Sequence, residues 1–253
     1  MVEKQSDEAP WTIQQTFLGI VLTLVPWILL VVGLNSLGGT SSPRKTPLPP
    51  QADLVGAIVT FIFSFVIEAA FLIAPLYFAN RAFRSTPSYG RLALRALGFR
   101  DFHGGQTATL IVILLFAIFG IDILYQYLIT VFHLNLQTND QIILQNSKVA
   151  PLTTYALLIV AVFVAPFCEE VFFRGFVFPG LQRGMPLVWA IVLSSLIFAI
   201  AHGDPGSFAV LFIIGLALAF VRWRTKSIWP GMLLHTLNNG IGALAIVLAM
   251  QGK

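Results

Sequence analysis

A small set of residues between positions 169 and 239 has the types and spacing to activate water. The run Cys168-Glu169-Glu170-Val171-Phe172-Phe173-Arg174-Gly175 carries two adjacent acids and one cation. Glu170 and Arg174 stand four apart with the acid first, which puts them on one helical face as an ion pair. That pair satisfies itself and is by its own chemistry structural. Glu169 is turned about 100° away from Glu170 and does not share the face. An acid without a local partner, in low-dielectric surroundings, suits a general base or acid. His202 follows Phe198 by one turn, so the ring shields the imidazole from water, and Gly203-Asp204-Pro205-Gly206 should end that helix. His235 and Asn239 are also four apart and can both donate hydrogen bonds to a single point. A carboxylate, two imidazoles and a carboxamide from three helices are sufficient to activate water and stabilise an oxyanion. No serine or cysteine nucleophile is required.

The elements that must position these groups are membrane helices. With 57% hydrophobic and 10% charged residues, the 253-residue chain has too little polar surface to cover a soluble globule. Apolar stretches long enough to cross a hydrocarbon core of about 30 Å recur at 14–34, 54–80, 107–132, 152–178, 187–203, 207–222 and 228–250. The expected fold is therefore an all-α, polytopic bundle of about seven transmembrane helices. A compositional boundary falls near Pro151. Residues 1–150 hold plain apolar helices in which Glu68 and Asp122 are the only intramembrane acids. Residues 151–253 gather ionisable groups, each costing at least about 2.5 kcal/mol in a helix centre unless paired or wet, so this part is expected to form a four-helix catalytic core.

The loops set the expected orientation. Arg81, Arg84, Arg91, Arg95 and Arg100 against the single acid Asp101 place the second connection in the cytoplasm. Arg183, Arg222, Arg224 and Lys226 then also fall inside, and Arg44, Lys45 and Lys148 outside, giving a cytoplasmic N-terminus and a multi-pass protein of the cell membrane. Lys4 and three acids precede Trp11, unlike the basic start of a signal peptide, so the first helix is expected to remain. Gly38 to Pro50 reads as an extended loop. The formal charge of +4 is spread over short loops, which argues against nucleic acid as a partner, and no nucleotide-binding loop is present. The lone Cys168 excludes an internal disulfide and a cysteine-based zinc knuckle, and reads as a small packing residue. One tension remains. His202 lies about 24 Å from Pro186 along its helix, deeper than Glu169. Either the fifth span is tilted or begins inside the membrane, or Phe176 to Arg183 continues the fourth helix.

Glu169-Glu170 with Arg174, Phe198 with His202, and His235 with Asn239 match in order the signatures E-E-x-x-x-R, F-x-x-x-H and H-x-x-x-N. Over about residues 150–250 the sequence resembles the CAAX-processing and bacteriocin-processing (CPBP) group of intramembrane proteases. That group includes the type II CAAX prenyl endopeptidases and bacterial proteins linked to bacteriocin self-immunity. The resemblance implies an endopeptidase without a cofactor, in which Glu169, assisted by His202, activates water, His235 and Asn239 stabilise the oxyanion, and Glu170 and Arg174 hold the helices. Its substrate would be a membrane-associated peptide or protein, prenylated or not, met among membrane lipids.

Three other readings use the same residues. Glu169, His202 and His235 could hold zinc as a His₂Glu site with water in the fourth position, although no H-E-x-x-H motif is present. Glu68, Asp122, Glu169 and the histidines could form the relay of a proton-coupled transporter, for which the expected inverted repeats are not evident. A non-catalytic membrane immunity factor or scaffold would keep its function when Glu169 becomes Gln.

Overall fold

The computed structural model describes residues 9–37 and 46–252. The expectations drawn from Lys4, the N-terminal acids, Arg44, Lys45 and most of the Gly38–Pro50 segment lie outside them. Among the described residues helix is the only regular secondary structure. Its elements are α1 (Ile13–Leu37), α2 (Pro50–Phe83), α3 (Tyr89–Ala96), α4 (Gly104–Val131), α5 (Asn139–Ser147), α6 (Pro151–Gly184), α7 (Leu187–Ala201), α8 (Phe208–Thr225) and α9 (Trp229–Met250). Six of these, α1, α2, α4, α6, α8 and α9, are long and apolar enough to cross a membrane, and α7 is apolar but only 15 residues long. The chain is an integral, multi-pass membrane protein.

Two short helices, α3 and α5, occupy stretches that the sequence presents as connections. Thr138 starts α5 with a capping box: its hydroxyl accepts from the Gln141 N–H, and the Gln141 side chain accepts from the Thr138 N–H. Helix α2 tightens at Phe71 and Leu72, whose N–H groups donate three residues back to Glu68 and Ala69. The cause is Pro75, which has no N–H for the carbonyl of Phe71.

Helix α6 is the axis of the molecule. It runs for 34 residues, well past the expected end at 178, so Phe176 to Arg183 do continue the fourth helix. Phe172, Phe173, Phe176, Phe178 and Leu181 are fully buried along it. Trp11 stacks on Phe176 with ring centroids 5.1 Å apart and donates its indole N–H to the Phe176 carbonyl at 3.2 Å. Gly180 admits Thr16 and Trp11 to the helix backbone, where a methyl group would collide with both. The large apolar side chains that remain exposed on α1, α2 and α4, such as Leu29, Val66 and Phe116, form the surface offered to lipid.

On its other side α2 runs parallel to α6. Asp53 caps the start of α6, accepting from the N–H groups of Leu152 and Thr153 at 2.8 and 3.0 Å and from the Thr153 hydroxyl at 2.8 Å. Higher up, Phe71 meets Phe172 edge-on at 5.3 Å. Between these contacts α2 advances 18 residues and α6 advances 20. The two additional residues are taken up by stretches where α6 winds more widely.

Candidate active site

Those stretches, Val160–Val164 and Glu170–Val177, are π-helical, and each ends two residues before a proline. In the first, the Ala165 N–H donates five residues back to the Val160 carbonyl. The next rung would run from residue 166 to Ala161, but Pro166 has no N–H. Asn239, from α9, donates its Nδ2–H to the Ala161 carbonyl at 2.9 Å. In the second, the Phe178 N–H donates to Phe173, and the following rung to Arg174 is lost at Pro179. Here Arg222, from α8, donates its Nε–H to the Arg174 carbonyl at 3.0 Å. A buried carbonyl left unmet would cost about 1–3 kcal/mol, so each proline calls for a donor from a neighbouring helix.

Glu169 and Glu170 sit at the junction where the helix passes into its second π segment. The turn at Met185 and Pro186 is 16 residues beyond Glu169, and His202 is 16 residues beyond that turn, so both stand about 24 Å from it. The apparent mismatch in depth came from a loop boundary set too early. Glu169 Oε2 lies 3.9 Å from His202 Nε2 and 3.8 Å from His235 Nε2, and has no hydrogen-bond partner among the described residues. A water bonded at about 2.8 Å to two atoms this far apart subtends roughly 90°, within its range.

The imidazoles are held from behind. His202 Nδ1 is 2.8 Å from the Phe198 carbonyl, which only accepts, so Nδ1 carries a proton and Nε2 is left facing Glu169. His235 Nδ1 stands 3.4 Å from Glu170 Oε1, and Glu170 Oε1 stands 3.0 Å from Arg174 Nη1. Both members of that ion pair are buried, and Arg174 also donates to the Gly215 carbonyl. Phe198 lies at the centre, its ring 4.3 Å from the Arg174 guanidinium carbon, with the rings of His202 at 4.5 Å and His235 at 5.8 Å. A buried aromatic face is a favourable seat for a cation.

Asn239 is placed differently. It lies one turn along α9 from His235, its Nδ2 bonded to Ala161 and its Oδ1 accepting from Asn238 at 3.3 Å. Glu68, on α2, is level with Glu169. Asp122 is not brought to this cluster by any contact among the described residues. Residues outside the signatures also hold the site. The turn after His202 is pinned by the Tyr125 hydroxyl on the Gly206 carbonyl at 2.7 Å and by Asp204, which accepts from the N–H groups of Asn139 and Ser207. Trp27 of α1 donates to the Ala201 carbonyl at 3.0 Å. Gly231 leaves room for Glu170, whose Oε2 would stand 2.5 Å from a methyl group there. No periodicity or motif marks Tyr125, Trp27 or Arg222; only the prolines at 166 and 179 signal that donors are needed.

As a zinc site the arrangement is loose. Ligands about 2.0–2.1 Å from a tetrahedral zinc stand about 3.3 Å apart. The separations here are 3.8–3.9 Å, and among the described residues no group of three His, Cys, Asp or Glu side chains is arranged to hold a metal ion. A groove of about 750 Å³ opens between α1 and α2, lined by Leu22, Trp27, Ile67, Phe71 and Tyr77 with Arg81 at one end.

Residues 151–241 match the model of the Rce1-like family, type II CAAX prenyl endopeptidase Rce1-like. A protein of Bacillus subtilis (strain 168) described as "Putative membrane peptidase YdiL" is 34% identical over 101 residues, covering 40% of each chain. An "Uncharacterized protein" of Mycoplasma capricolum is 31% identical over 150 residues, covering 54% of this chain and 43% of that one. The chain thus spans less than half the length of either relative. No solved structure matches it. The matched segment carries all three polar signatures on the helices that converge at Glu169, and over these residues the chain is similar to the CAAX-type membrane proteases.

Proposed function

We propose that the chain is an intramembrane endopeptidase that hydrolyses a peptide bond with water activated by Glu169, and that residues 151–253 form its catalytic unit. The observation that carries this reading is the gap between Glu169 Oε2, His202 Nε2 and His235 Nε2, one water wide and closed from behind by bonded or paired groups. Water in that gap loses a proton to Glu169 as its oxygen adds to the peptide carbonyl. His202 aligns the water. His235 donates to the developing oxyanion, and Asn239 is the second donor through the N–H not used by Ala161. The proton on Glu169 then passes to the leaving amine, which restores the carboxylate. Glu170 and Arg174 hold His235 in place.

The substrate is a peptide or a membrane-associated protein, and the α1–α2 groove is suited to an apolar chain, prenyl or otherwise, entering from the lipid side. The active site faces the cytoplasm of a cell-membrane protein whose N-terminus is inside, in keeping with the basic connection Arg81 to Arg100. No metal takes part in this scheme.

The test is cleavage of a fluorogenic peptide panel, prenylated and unprenylated, by detergent-solubilised protein. Glu169→Gln should lose at least about 10³-fold in kcat with unchanged thermal unfolding, and a chelator should leave the wild type active. Loss of wild-type activity in chelator would replace this scheme with a zinc site. Undiminished cleavage by Glu169→Gln would remove Glu169 from the chemistry.

A further inference from the structure

The mechanism above leaves Glu68, a partly buried intramembrane acid, unused. Glu68 lies on α2, and the parallel register of α2 and α6 fixes its height: Asp53 is level with Leu152 and Phe71 with Phe172, so Glu68, one turn before Phe71, is level with Cys168 and Glu169. Its Oε2 is shut off from solvent and has no hydrogen-bond partner among the described residues. Phe71, packed on Phe172 and Phe173, closes the space on one side. From α6 the titratable groups level with Glu68 are Cys168 and Glu169. Helix α1, on its other flank, contributes none. Among the described residues no cation is paired with Glu68, whereas Arg174 neutralises Glu170.

We propose that Glu68 is the second acid of the site, a positioning residue that keeps one proton opposite Glu169 so that the two carboxyls carry a single negative charge between them. The inference rests on the reading of Glu169 as the base. Two carboxylates at one level of paired helices in low-dielectric surroundings oppose each other's ionisation, and such a pair titrates as a unit. At rest Glu68 is the neutral acid and its O–H points toward the Glu169 side of the gap. When Glu169 takes the proton of the attacking water, the pair becomes neutral. When that proton leaves with the amine, the pair returns to one charge. Glu68 gains and loses no proton over the cycle. Its contribution is to keep Glu169 the one ionised partner and to hold its orientation with a hydrogen bond that a glutamine amide can also make.

The experiment compares pH–rate profiles of wild type, Glu68→Gln, Glu68→Leu and Glu169→Gln on one fluorogenic peptide, with thermal unfolding of each in detergent. Glu68→Gln should keep kcat near neutral pH within about threefold and hold its plateau further into the alkaline range, because the group whose ionisation ends wild-type activity is gone. Glu68→Leu should lose at least about tenfold in kcat, with KM little changed. In infrared spectra at neutral pH, wild type should show a protonated-carboxyl C=O band that Glu68→Gln lacks, a readout that needs no substrate. Profiles of both Glu68 variants superimposable on wild type would overturn the proposal. So would a uniform loss in Glu68→Leu with the alkaline limb unmoved in Glu68→Gln, or a carboxyl band that survives in Glu68→Gln. Activity surviving in Glu169→Gln would instead sink the base assignment, and is read separately from the Glu68 results.

Discussion

The two proline junctions of α6 pose one problem and solve it with different chemistry. At Pro166 the carbonyl of Ala161 is met by the neutral amide of Asn239, within a signature that the family resemblance assigns to catalysis. At Pro179 the carbonyl of Arg174 is met by the guanidinium of Arg222, a buried residue outside every signature. A motif residue and a residue without a motif therefore do the same local work. Asn239 has a structural reason to be present whether or not it touches an oxyanion. The neutral donor leaves a second N–H for another acceptor next to His235, and places no fixed cation beside the carboxylate proposed to take and return a proton. The charged donor stands where Arg174 and Glu170 already balance each other.

Substitutions that restore the missing N–H separate the two roles. The largest effect is expected from Asn239→Ala, with kcat reduced about 10²- to 10³-fold if its spare N–H meets the oxyanion. Adding Pro166→Ala supplies Ala161 with a backbone donor. Stability measured by thermal unfolding should recover in the double variant while kcat does not, and recovery of both would make Asn239 purely structural. Arg222→Met should lower stability by about 1–3 kcal/mol through the unmet Arg174 carbonyl, with kcat per folded molecule nearly unchanged, and Pro179→Ala should return part of the loss. Gly231→Ala, which drives a methyl group against Glu170, should cost about 1–3 kcal/mol in thermal unfolding and raise KM or lower kcat by displacing His235. The smallest change belongs to Trp27→Phe, where loss of the bond to Ala201 should cost about 1 kcal/mol and leave the pH profile in place.

The long spans were legible because each is a run of apolar residues with nothing inside to stop it, and Glu170 with Arg174 could be paired from spacing alone. Three features were not legible. Helices α3 and α5 are too short and too polar to announce themselves against the loops around them. The fourth span is expected to end at 178, yet α6 passes on through Pro179-Gly180, because a π turn tolerates the missing N–H once Arg222 supplies another donor. That one error displaced the expected end of α6 and made His202 look too deep. That Glu68 stands level with Glu169 depends on pairing α2 with α6 through Asp53, a contact between residues 99 positions apart that no local pattern encodes.

The wide turns of α6 also bear on how this sequence can change over generations. A π turn holds one residue more than an α turn of similar height, so deleting a residue between Val160 and Val164 would iron it flat. The turns beyond would then keep their places, because the wide turn absorbs the lost residue. A deletion in an α-helical stretch such as Pro151–Ile159 has no such slack, and would rotate one side of the helix against the other by about 100° while the helix itself stayed intact. Outside its π turns, helix α6 is thus a spacer of fixed count. Insertions and deletions should be tolerated in connections such as Arg84–Ser88 or Phe132–Gln137, and should be purged from the α-helical stretches of α6 even where the side chains themselves are freely exchanged.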